Sequence, residues 1–142
     1  MSASESLYPP LVLKHSKDPC HFYEMPDATR NILAYNPLCG DRYNIFIKQE
    51  EDRIVRTSFS GYGCALSKAA ASLLVERLQQ ISIEESERLL QHFFAILAGG
   101  QEEQYHSFQV FEGVRRFPER KDCVVLSANA LQEFLHNEKN KS

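Results

Sequence analysis

Asn36-Pro37-Leu38-Cys39-Gly40-Asp41 leads directly into Arg42-Tyr43-Asn44-Ile45-Phe46-Ile47, a turn that opens into a strand, and the fold is decided at that junction. Pro37 fixes one φ angle and Gly40 permits an unusual one, so Cys39 and Asp41, two residues apart, can aim at one point. Beyond the turn the pattern alternates. Tyr43, Ile45 and Ile47 lie on one face and Asn44, Phe46 and Lys48 on the other, which predicts a strand over Arg42–Ile47. A second strand is predicted near Arg53–Phe59. The polar stretch Gln49-Glu50-Glu51-Asp52 between them suits a turn, so the two strands should pair as an antiparallel hairpin. At the exit stand Ser60-Gly61-Tyr62-Gly63-Cys64, two glycines around an aromatic and then a thiol. Entry and exit of a hairpin are neighbours in space, so Cys39, Asp41 and Cys64 can converge.

Working outward, the run Ser67–Leu78 is rich in helix formers, with Ser67 placed to cap it. The N-terminus of such a helix faces the thiols, and its positive potential favours thiolates. A second helix is predicted from Ser82, with Glu85 three residues on as a capping box, to the stop Gly99-Gly100. Leu89, Leu90, Phe93, Phe94 and Leu97 give it a core-facing stripe. Upstream, Leu7–Leu13 with Pro9 and Pro10 near the first turn predicts a short helix. Asp18-Pro19-Cys20-His21-Phe22 reads as a loop in which adjacent Cys20 and His21 point opposite ways, an incidental pair. Downstream, Gln101–Phe111 is polar with scattered aromatics and Gly113–Pro118 breaks periodicity. Cys123 follows Glu119-Arg120-Lys121-Asp122, and Ser127 is expected to cap a last helix through Leu135. The ends near 1–6 and 137–142 are expected to be disordered. The expectation is one α+β domain over residues 1–142, an antiparallel sheet of about three strands, the third unassigned, packed against helices on one face.

A chain of 142 residues, 43% hydrophobic, can bury a substantial core, and no stretch is long enough to span a bilayer. The first residues lack the cationic start and apolar run of a secretory signal, which points to the cytoplasm. There, four cysteines are thiols or ligands rather than disulfides. A net charge of −3 gives no footprint for nucleic acid, and no basic amphipathic helix suggests a membrane surface. No Cys-x-x-Cys pair is present, so the thiols could be small buried hydrophobes. The glycine-flanked turns favour ligands, because a metal needs backbone freedom for its angle of approach. His15, His21, His92, His106 and His136 are scattered and supply no base for a thiol hydrolase.

Three motifs carry a resemblance: Asn36–Asp41, Phe59-Ser60-Gly61-Tyr62-Gly63-Cys64-Ala65-Leu66-Ser67-Lys68-Ala69-Ala70-Ala71-Ser72, and Arg120-Lys121-Asp122-Cys123-Val124-Val125-Leu126. With Leu7-Tyr8 and His15–Pro19 they resemble the U-type iron-sulfur assembly proteins, IscU, SufU and the N-terminal part of NifU, over nearly the whole chain. The absence of a histidine before Cys123, and the insertion-like segment Glu112–Pro118, make SufU the more similar branch. The resemblance implies that Cys39, Asp41, Cys64 and Cys123 ligate zinc. It implies a zinc-dependent sulfurtransferase-like role in iron-sulfur cluster assembly, with Cys39 accepting persulfide sulfur from a SufS-like cysteine desulfurase and relaying it to downstream assembly proteins. Arg120 is implied as a partner contact. Asp122 departs from the basic residue usual before the last cysteine and is an alternative oxygen ligand. Two alternatives stay open: a scaffold that holds a transient [2Fe-2S] cluster on the same residues, and a zinc-stabilised interaction module without catalysis. Cys20 matches no family ligand.

Overall fold

In the computed structural model, which describes residues 8–100 and 103–139, helix α1 spans Pro10–Lys17, with Pro10 in its first turn. Strands β1 (Arg30–Asn36), β2 (Asp41–Glu50) and β3 (Arg53–Tyr62) follow, then helix α2 (Ala65–Arg77), the two-residue strand β4 (Ile81–Ser82) and helix α3 (Ile83–Leu97). A 3-10 helical stretch, Glu103–Arg116, leads into helix α4, Pro118–Lys139. The sheet is antiparallel throughout, in the order β1-β2-β3-β4. Its class is α+β as expected, with four strands rather than about three.

The hairpin forms where alternation placed it. Tyr43, Ile45, Ile47 and Phe59 are fully buried on the face that receives the helices. The turn is tighter than expected, with Glu51 at φ 57 between strands that reach Glu50 and Arg53. A register shift at Lys48/Gln49 leaves Val55 without an opposite residue, a bulge that bends β3. β1 pairs Asn36 with Asp41, so the turn between them closes the same sheet end at which β3 delivers Cys64.

Helix α2 is apolar nearly all round, and Leu66, Ala69, Ala70, Ala71, Leu73, Leu74 and Val75 are buried. A helix with that composition lies inside the molecule. It packs against α1, α4 and β3. Its cap corrects the expectation for Ser67: the helix starts at Ala65, and the Cys64 sulfur accepts from the Ser67 N–H. Helix α3 begins as predicted, Ser82 accepting from Glu85 N at 3.0 Å, and stops at Gly99, φ 115. In its stripe Ile96 is buried, whereas Phe94 is half-buried.

A further correction concerns the C-terminal third. Helix α4 starts at Pro118 rather than near Ser127, because proline at the first helical position loses no hydrogen bond. Ser127 is therefore mid-helix, 2% exposed, with a hydroxyl that has no partner among the described residues. The helix also runs through Asn137 and Glu138, and Glu138 pairs with Arg30 of β1 at 3.2 Å. Residues 1–6 and 140–142 lie outside the described residues. In the 3-10 stretch Phe108, Phe111 and Val114 are buried, every third residue, which is the period of that helix. Phe93 of α3 meets Phe108 at 5.0 Å between ring centroids.

The segment 18–29 runs from the free edge of β3, where Phe59 N donates to His21 O at 3.0 Å, toward β1. On the sheet face opposite the helices, Asp27 bonds Lys48 Nζ at 2.8 Å and Arg56 Nη2 at 2.7 Å. Those cations, Lys48 first, hold the Asp27 carboxyl below its ordinary value. A lowered folded pKa stabilises above the unfolded value, near about 3.9, and the contribution is lost as pH falls through the folded one. Asp27→Asn is therefore expected to lower the unfolding midpoint at pH 7 and to leave it unchanged in strong acid. A difference between the proteins that persists undiminished below about pH 2 would contradict this assignment.

No helix among the described residues is long and apolar enough to cross a membrane.

Candidate metal centre

Cys39 comes from the β1–β2 turn, Asp41 from the first position of β2, Cys64 from the start of α2 and Cys123 from the second turn of α4. The sulfurs of Cys39 and Cys123 and a carboxylate oxygen of Asp41 all lie within 4.8 Å of one another. Cys64 sits against the same carboxylate, its N–H donating to Asp41 Oδ1 at 3.1 Å and its thiol to Oδ2 at 3.8 Å. Four residues from four elements thus meet around one buried carboxylate, 3% exposed. Cys39 is exposed, Cys64 half-buried and Cys123 buried.

Each position has a local cause. Asn36 shapes the turn: its Oδ1 accepts from Leu38 N at 3.0 Å and its carbonyl from Gly40 N at 2.8 Å, an Asx-type turn. Its amide Nδ2 also donates to Cys39 Sγ at 3.4 Å. Gly40 has φ 80, as the motif requires. Tyr43, fully buried, places its hydroxyl 2.8 Å from Ser67 Oγ, joining β2 to the first turn of α2; burial pushes its pKa up. Ser67 Oγ in turn donates to Cys64 O at 3.1 Å. Ser67 thus holds Cys64 in place rather than capping the helix.

As helix N-cap, the Cys64 sulfur stands at the start of α2 and accepts from Ser67 N at 3.4 Å. Burial pushes the Cys123 thiol up, and the neighbouring Cys64, Cys39 and Asp41 add to the shift. The other residues expected at the site are peripheral. Asp122 is exposed and lines a shallow cavity with Asn36, Leu38, Cys39, Pro118 and Glu119, but it is not part of the converging group. Arg120 is exposed on the first turn of α4, outside that lining. Asn36 and Tyr43 were not singled out from sequence as site residues. For Asn36 the Asn-Pro start of the turn was a usable signal, whereas nothing local marks Tyr43.

A donor set of three sulfurs and one carboxylate suits a thiophilic cation such as zinc, and iron-sulfur clusters as well. Tetrahedral Zn–S and Zn–O bonds of about 2.3 and 2.1 Å put neighbouring ligand atoms about 3.6 Å apart. The Cys64–Asp41 separation of 3.8 Å is close to that, while Cys39, Asp41 and Cys123 form the mutually close group, so the donor types fit such an ion, with Cys64 having to close on the other two sulfurs.

The family model for the NifU-like N terminal domain matches residues 7–142. The chain is 31% identical to "Iron-sulfur cluster assembly scaffold protein IscU" of Streptococcus pyogenes serotype M1, over 99% of this chain and 89% of that protein. It is 27% identical to "Zinc-dependent sulfurtransferase SufU" of Bacillus subtilis (strain 168), over 94% of this chain and 92% of that one. Among solved structures, the N-terminal NifU-like protein of Brucella abortus superposes with a TM-score of 0.86 over 99% of this chain and 100% of its own, at 16% identity. That identity speaks for the fold alone.

Proposed function

This chain belongs to the NifU-like N-terminal domain family, and on that premise we propose that it serves iron-sulfur cluster assembly by taking persulfide sulfur from a SufS-like cysteine desulfurase and passing it on. The observation that carries the reading is the convergence of Cys39, Asp41, Cys64 and Cys123 from four separate elements around one buried carboxylate. These four would hold zinc. When bound, the ion would keep thiols ionised at neutral pH and fix the four side chains in place.

The rest of the mechanism belongs to the chain itself. Cys39 is the acceptor because it alone of the three thiols is exposed, at the lip of the sheet. Asn36 Nδ2 donates to its sulfur, an interaction that strengthens as the sulfur becomes anionic. The thiolate attacks the terminal sulfur of the desulfurase persulfide. One S–S bond forms on Cys39, the old one breaks, and the desulfurase cysteine leaves as a thiolate. The terminal proton stays on the transferred sulfur, and the exchange has no net redox change. Leu38, 92% exposed in the Cys39 turn, and Arg120, exposed on the first turn of α4, are proposed as contacts with the desulfurase.

The scaffold reading is favoured by the 31% identity to a protein named as an IscU scaffold, against 27% to the one named as a sulfurtransferase, and by further relatives with the scaffold name. In it the same four residues hold a nascent [2Fe-2S] cluster as cargo, and the hard Asp41 oxygen among sulfurs eases its release. Elemental and acid-labile sulfide analysis of the reduced, purified protein separates the two. Zinc without sulfide is the expected result. Iron and sulfide in near-equal amounts would replace the relay with the scaffold.

A further inference from the structure

Away from the Cys39 group and sharing no residue with it, a second set of ligand-type side chains meets where α1, the 18–22 segment and α2 come together. Sequence set Cys20 beside His21, yet His21 is exposed. The imidazole that reaches Cys20 is His15, from the helix before it. Cys20 Sγ lies 3.9 Å from His15 Nδ1, and Glu76 Oε2 lies 3.9 Å from His15 Nε2. A ring nitrogen, the sulfur and a carboxylate oxygen all fall within 4.8 Å of one another.

We propose that His15, Cys20 and Glu76 form a second metal site, for a borderline divalent cation such as Zn²⁺, with a fourth position open to solvent. Its donors are the three types that zinc accepts in proteins, imidazole nitrogen, thiolate and carboxylate. With Nδ1 taken by Ser72, Nε2 is the ring nitrogen left for an ion; tetrahedral Zn–N and Zn–O bonds of about 2.1 Å place two ligand atoms about 3.4 Å apart, and the observed 3.9 Å between Nε2 and Glu76 Oε2 closes to that with a small side-chain shift.

The surroundings hold these groups in position without the ion. Ser72 Oγ, fully buried, lies 2.7 Å from His15 Nδ1 and accepts from the Cys20 N–H at 2.8 Å, so one hydroxyl orients both the ring and the loop that carries the thiol. A hydrogen bond on the ring nitrogen opposite the ligating one is the usual support of a metal-binding histidine, and Ser72 on Nδ1 leaves Nε2 for the ion. Ser72 and Glu76 are four residues apart on α2, and so lie one above the other on one face. Burial holds the His15 ring pKa below its ordinary value, which leaves a neutral imidazole with a lone pair to offer at pH 7. His15 is 6% exposed, whereas the Glu76 side chain is 49% exposed, giving an ion its route in and a water its place. An ion there would tie α1 and the 18–22 segment to α2, and three ligands rather than four would make it the more exchangeable of two ions on the chain.

The test is a Zn²⁺ titration of the reduced full chain against a chromophoric chelator, with cadmium NMR on Cd²⁺-loaded protein. Two bound equivalents are expected, with two cadmium resonances, the more shielded arising from the single-thiolate set. Cys20→Ala should bind one equivalent and lose that resonance, while Cys39→Ala keeps it, so the result stands apart from the fate of the sulfur-relay reading. Glu76→Gln, at a surface position that leaves the core intact, should weaken the second equivalent at least about tenfold. A single wild-type equivalent that Cys39→Ala loses and Cys20→Ala keeps, or a second equivalent that both Cys20→Ala and Glu76→Gln bind as tightly as wild type, would overturn the assignment.

Discussion

Cys39→Ala is expected to return a cysteine desulfurase to the rate it shows without this protein, while the variant, compared metal-free with metal-free wild type, unfolds within about 1 kcal/mol of it, as exposed substitutions do. The two halves of that result come from the same position. Cys39 is exposed and held by a turn whose bonds come from Asn36 and Gly40, so its side chain can be removed without opening the core. Its sulfur is nonetheless the one a docked partner can reach. The other two thiols should behave differently. Cys123 is 4% exposed in α4 and part of the core cluster, and Cys64 caps α2. Their alanine variants should lose activity and also about 1–2 kcal/mol of stability. A Cys39→Ala protein that still accelerates the desulfurase would remove Cys39 from the acceptor role, and Cys64 would become the next thiol to test.

Gly61→Ala should be the most damaging of the single-methyl additions, costing about 3–5 kcal/mol and metal binding with it. Gly61 has φ 127, a conformation that side chains rarely adopt. A Cβ there would overlap the Arg42 carbonyl oxygen and lie 2.8 Å from Tyr43 Cα. Both obstacles are backbone of the neighbouring strand and cannot turn aside. β2 and β3 would have to part at the sheet end where Asp41 and Cys64 meet. Gly40→Ala is the control. Its φ is 80 but, beyond its chain neighbours, no atom of the described residues lies within 4 Å of the added methyl, so strain alone applies, about 1–2 kcal/mol. Urea unfolding of the two variants checks the order. Equal midpoints would mean that the strands are not held together at Gly61.

What the sequence disclosed, it disclosed through local chemistry. The β2–β3 hairpin was legible because Tyr43, Ile45 and Ile47 alternate with polar neighbours, and α3 because Ser82 and Gly99 punctuate a helical stripe. Cys39, Asp41 and Cys64 could be brought together on paper because a hairpin returns its exit to its entry. Cys123 could not, since its approach depends on α4 packing against α2 and β1, a tertiary fact; the family resemblance supplied it. β1 was missed because Leu33 and Tyr35, 48% and 47% exposed, put large apolar residues on the outward face beside Ile32 and Ala34 on the inward one, which erases alternation. The Phe108, Phe111, Val114 stripe repeats every three residues and matches neither the 3.6 nor the 2.0 template. Pro118 was taken for a helix breaker when it was the first residue of one, and cysteine is so unusual an N-cap that Ser67 drew the assignment from Cys64.

The relay reading stands or falls on where the sulfur goes. The most direct measurement is to incubate the protein with a SufS-like desulfurase and cysteine, block thiols by alkylation, and map persulfide by peptide mass spectrometry. The account predicts a mass gain of one sulfur atom on the peptide that carries Cys39, dependent on both the desulfurase and its substrate, and lost in Cys39→Ala. A gain on Cys64, Cys123 or Cys20 with Cys39 unmodified, or no gain on any cysteine while the desulfurase is accelerated, would contradict it.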